Sequence, residues 1–83
     1  MFYVYILRSK KIHDKTYIGY TTNLKERLKL HNLQMVKSTK PFVPWKIETY
    51  IGFSNKELAI KFEKYLKTGS GKAFLKKRLI NDG

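Results

Sequence analysis

The chain has 83 residues, enough for one domain over 1–83 and too few for two separate cores. Its 42% hydrophobic and 14% aromatic residues supply one packed core and exclude a disordered chain, while the absence of cysteine excludes disulfides and thiolate zinc sites as staples. Eighteen Lys and Arg against six Asp and Glu give a net charge of +12, which repels itself in a folded chain and calls for an anionic partner, nucleic acid first and an anionic membrane second.

The first apolar run, 1–7, is far shorter than the ~20 residues that cross a bilayer, and it lacks the flanking pattern of a signal peptide. These features predict a cytoplasmic protein with no membrane partner. Phe2-Tyr3-Val4-Tyr5-Ile6-Leu7 is aromatic and β-branched on both alternating faces, as in a central strand buried on both sides. A polar stretch, 8–15, leads to a second strand, Thr16-Tyr17-Ile18-Gly19-Tyr20, which forms a long-looped hairpin with the first. A symmetric hairpin sets Gly19 opposite Tyr5 and Tyr17 diagonal to it, with a gap where glycine has no side chain.

Thr22 or Asn23 caps a helix over 24–32. The segment 33–44 has no period and carries Lys37-Ser38-Thr39-Lys40 between that helix and two prolines, so it reads as a basic surface loop. Residues 45–53 form a third strand, with Ile47, Thr49, Ile51 and Phe53 on one face. Ser54 or Asn55 caps a second helix to about Lys67, Ser54 standing three residues before Glu57 as a capping box requires. Gly69 and Gly71 end that helix, and a short last helix, 72–80, gathers Lys72, Lys76, Lys77 and Arg78.

At ~100° per residue, Leu24, Arg27, Leu28 and His31 share one face of the first helix, opposite Lys25, Glu26 and Lys29. Arg27 either snorkels to water or meets an anion, because an unpaired buried guanidinium costs several kcal/mol. Glu63 borders the apolar face of the second helix, among Lys61, Lys64 and Lys67. It is either a surface ion pair or a ligand for a hydrated dication such as Mg²⁺, which needs few carboxylates when substrate phosphate completes its shell. Six tyrosines are many for this length, and most are core or rim residues. Tyr5 and Tyr17 can present hydroxyls to a reacting group, although a tyrosine in water titrates near 10 and is a weak base without a nearby cation.

The ordered set Tyr3-Val4-Tyr5, Tyr17-Ile18-Gly19, Arg27 with His31 one turn later, then Glu63 on the following helix resembles the GIY-YIG nuclease domain, and is most similar to its small stand-alone bacterial members. Tyr3 and Val4 stand where that first motif has Gly and Ile. The resemblance implies an α+β fold, a three-stranded antiparallel sheet flanked by about three helices, and metal-dependent endonucleolytic hydrolysis of nucleic acid, DNA before RNA, with a role in DNA repair or processing. It implies that Glu63 holds Mg²⁺ or Mn²⁺, that Tyr17 activates or orients water, that Arg27 stabilises phosphoryl charge, and that Tyr5 and His31 position water or phosphate. Lys37, Lys40, Lys72 and Lys76 are the expected backbone contacts. The alternative is a nucleic-acid-binding module of the same fold with little or no turnover.

Overall fold

In the computed structural model, which describes residues 1–80, the predicted central strand is β1, Phe2–Ser9. It lies between β2, Thr16–Thr21, and β3, Trp45–Phe53, in an antiparallel sheet of order β2-β1-β3. Every β1 residue from Val4 to Ser9 is buried, because each face of the sheet carries its own core. Val4 and Ile6 pack with Ala59, Leu66 and Leu75 on one side, and Tyr5 and Leu7 pack with Trp45 on the other. Helix α1, Leu24–Asn32, covers the Tyr5 face through Leu24 and Leu28. Helices α2, Lys56–Leu66, and α3, Gly69–Phe74, belong to the Val4 face. The α+β class and the three-stranded sheet are as expected; residues 81–83 of the predicted 1–83 domain lie outside the described residues.

Local departures from the sequence reading have identifiable causes. Arg8, assigned to the polar loop, continues β1 and is only 2% exposed. Its Nε donates to the Glu48 carboxylate and its Nη1 to the His13 carbonyl at 2.6 Å, partners that a sequence pattern does not display. Glu48 is itself displaced by a bulge: Ile6 stands opposite Thr49 but Leu7 opposite Ile47, leaving one extra residue on β3. That slip turns Ile47 onto the α1 side while Phe53 stays on the α2 side, so the four residues predicted to share a face do not.

Among the proposed caps, Asn23 accepts from the Glu26 amide at 3.0 Å and Asn55 from the Leu58 amide at 3.0 Å, so Asn55 and not Ser54 starts α2. Gly69 and Gly71 do not end α2. They open α3, capped by Thr68, whose Oγ1 accepts from the Gly71 amide at 3.0 Å. Glycine is required at 71 because a methyl there would overlap the Tyr65 carbonyl, where α3 folds back on the end of α2. The last predicted helix therefore begins earlier, at Gly69, and widens into a π-helical turn over Leu75–Leu79, whose Leu79 carbonyl accepts from the Thr49 hydroxyl.

Candidate active site

The hairpin register is the predicted one: Gly19 stands opposite Tyr5, and Tyr17 opposite Leu7. Glycine at 19 lets the Tyr5 ring and hydroxyl lie across β2, since a methyl there would overlap both. The Tyr5 hydroxyl then reaches α1 and lies 3.0 Å from Nε2 of His31. Tyr17 completes a triangle of rings, with its centroid 6.4 Å from Tyr5 and 5.0 Å from His31. Three separate elements thus converge on one point of the Tyr5 face.

The hydrogen bonds fix how protons are arranged there. Nδ1 of His31 lies 2.8 Å from the Thr39 hydroxyl, and that hydroxyl donates to the Val36 carbonyl at 3.2 Å. Having spent its only proton on Val36, Thr39 must accept from His31, so the imidazole carries its proton on Nδ1. Nε2 is then the acceptor, and the Tyr5 hydroxyl is the donor. Burial, reinforced by the Arg27 charge, holds His31 below the usual histidine range, which keeps the ring neutral and this relay intact. Burial, with the neighbouring Tyr17 and Glu63, pushes the Tyr5 phenol above the usual tyrosine range against the opposing pull of Arg27. Tyr5 is accordingly a held hydroxyl with free lone pairs and not a base.

Two groups at this centre remain uncommitted. The Tyr17 hydroxyl makes no hydrogen bond to any described residue and is not sealed from solvent. Arg27, half-buried on α1, has no carboxylate partner among the described residues, although its charge is felt at both Tyr5 and His31. Glu63 approaches from α2, near enough for its charge to bear on Tyr5. Its side chain is 19% exposed and accepts from the Lys67 ammonium at 3.1 Å, the surface ion pair that was one of its two readings.

The predicted backbone-binding lysines divide into two groups. Lys72 and Lys76 line an open groove of about 700 Å³ that also touches Tyr17 and Lys67. Lys37 and Lys40 do not line it; they are exposed on the loop after α1, on either side of the buried Thr39. That loop is more than a basic surface segment, because the Thr39 carbonyl accepts from the Trp45 indole at 3.0 Å while its hydroxyl accepts from His31. Thr39 is the site residue that sequence reasoning missed. A loop without a period gives no means of telling an inward position from an outward one.

The sequence matches the GIY-YIG catalytic domain over residues 1–78. The chain belongs to the GIY-YIG family. Relatives of this GIY-YIG chain include the structure-specific endonuclease subunit SLX1 homolog of Cryptosporidium parvum, 37% identical over 65 residues that cover 74% of this chain and 16% of that protein. They also include UPF0213 protein YsiG of Lactococcus lactis, 40% identical over 68 residues covering 80% of this chain and 62% of that protein. UPF0213 protein CPE1444 of Clostridium perfringens is 40% identical over 68 residues, covering 81% and 71% respectively. The GIY-YIG chain therefore spans less than a fifth of the length of its SLX1 relatives and around two thirds of that of these bacterial ones.

Proposed function

We propose that this chain is a metal-dependent endonuclease that hydrolyses phosphodiester bonds of nucleic acid, DNA in preference to RNA, in DNA repair or processing. The observation that carries this reading is the half-buried Arg27, a cation without an acid partner among the described residues, near enough for its charge to bear on Tyr5 and His31. A guanidinium left in that position is complementary to the developing charge on phosphoryl oxygens, which phosphoryl transfer requires. The SLX1 relatives are described as structure-specific endonuclease subunits, which favours the same chemistry here.

In this reading a phosphodiester lies against Arg27, which binds and orients its non-bridging oxygens. The attacking water is held between the Tyr17 hydroxyl and the lone pairs of Tyr5, whose own proton is committed to His31 Nε2. Tyr17 orients the water, whose proton passes to solvent as the bond to phosphorus forms and the bond to the leaving oxygen breaks, and Tyr5 and His31 keep that water in line. The donor set fits a hydrated hard dication and no protein-only cage: among the described residues no three His, Cys, Asp or Glu side chains come together, while Glu63 offers a partly exposed carboxylate. Glu63 would hold Mg²⁺ or Mn²⁺, releasing Lys67, and the ion would supply Lewis-acid stabilisation of the leaving oxygen.

Incubating the purified protein with labelled duplex, single-stranded and branched DNA and with RNA, in Mg²⁺ or Mn²⁺, tests the proposal. Cleavage that disappears in Glu63→Ala and Arg27→Ala supports it. A protein that binds these substrates with salt sensitivity yet cuts none would instead be the binding module of the same fold.

A further inference from the structure

The groove that contains Lys72 and Lys76 is built asymmetrically. Lys67 from the end of α2, Lys72 from α3 and Lys76 from the π-helical turn line it, and the half-buried Ile18 and Ile80 supply apolar surface. Widening the helix at Leu75–Leu79 re-aims the side chains that follow α3, and such turns recur at functional sites. His13, Asp14 and Thr16 line it as well, from the hairpin loop and the start of β2. Asp14 is the only carboxylate among the lining residues, and the lining Arg8 is already committed to Glu48 and the His13 carbonyl. An anion in the groove is therefore drawn to the lysines and repelled by Asp14.

The groove is continuous with the candidate active site through Tyr17 and through Lys67, whose ammonium touches Glu63. Its volume of about 700 Å³ is room for a short piece of one strand. The apolar lining favours an unpaired strand over a duplex. A duplex keeps its base faces stacked inside and offers phosphates and groove edges, whereas an unpaired strand offers phosphates for the lysines and base faces for the half-buried Ile18 and Ile80.

We infer that this groove is a subsite for an unpaired strand flanking the scissile phosphate, with Lys72 and Lys76 on its backbone phosphates; the inference rests on the nuclease reading above. The substrate is then a nucleic acid that is single-stranded on one side of the cut. Fluorescence anisotropy with a labelled oligothymidylate and with a blunt duplex, over a salt series in EDTA so that nothing is cleaved, tests it. The double variant Lys72→Ala/Lys76→Ala is expected to lower the salt slope for the single strand by about 1.4, at ~0.7 for each phosphate no longer neutralised, and to leave duplex binding nearly unchanged. Lys25→Ala/Lys29→Ala removes the same charge from the exposed side of α1 and is expected to change neither slope. Equal reductions from the two double variants would overturn the inference, as would a reduction confined to duplex. Because no cleavage is read, these outcomes are separate from those of the Glu63 and Arg27 cleavage assay.

Discussion

Thr39 illustrates how much one buried hydroxyl controls. By donating to Val36 it forces the His31 proton onto Nδ1, which in turn makes Nε2 the acceptor for Tyr5. Thr39→Val keeps the shape and strands the Nδ1 proton, so urea unfolding should show a loss of about 1–3 kcal/mol, while Thr39→Ser should recover most of it. His31 also sets a pH dependence. Its folded titration lies below the ordinary ~6.5, so between those two values the unfolded chain binds the extra proton. Stability is then full above ~6.5 and declines as pH falls toward the folded value. The charged and titratable groups around the ring are Arg27 on its own helix, Tyr5 on β1 and Tyr17 on β2. Melting temperatures should fall from pH 7 to 5.5 in the wild type and less so in His31→Gln, and equal slopes would show that another group titrates. At Gly19, where the Tyr5 ring fills the missing side-chain space, Gly19→Ala should cost about 1–3 kcal/mol of overpacking and displace the Tyr5 hydroxyl from His31.

At the level of elements, the signals that carried were those that depend on near neighbours. Uninterrupted β-branched and aromatic residues marked β1 as doubly buried, and the hairpin pairing of Tyr5 with Gly19 followed from counting between two strands. Arg27 and His31 were placed on one helix face by the helical period alone. What the sequence did not disclose depends on distant partners. The β3 bulge takes Glu48 out of the alternation, and its partner there, Arg8, is buried on the neighbouring strand. Gly71 reads as a helix terminator until the Tyr65 carbonyl is found where its side chain would be. Two adjacent cap candidates could be separated only by seeing which side chain meets the Leu58 amide. Asn55→Ala should therefore cost about 1 kcal/mol in thermal or chemical unfolding, and Ser54→Ala should cost little.

For the whole molecule, the net charge of +12 is divided by position into different jobs. Arg8 is consumed inside the fold by Glu48, Arg27 has no carboxylate partner among the described residues at the tyrosine–histidine centre, and the groove lysines and the loop lysines form separate patches. Lys37→Ala and Lys40→Ala should weaken binding of all sequences alike and flatten the salt dependence, because phosphate contacts release counterions without reading bases. In the proposed reading, none of this charge produces hydrolysis unless residues of four elements, β1, β2, α1 and α2, act as one centre. Single-turnover cleavage of a labelled DNA by wild type, Arg27→Ala and Glu63→Gln in Mn²⁺, with binding measured alongside, tests that claim most directly. The account predicts that both variants still bind while the cleavage rate falls by about 10²-fold or more, the scale of removing one charge interaction from the transition state. Rates equal to the wild type in both variants, or a wild type that cuts nothing, would contradict it.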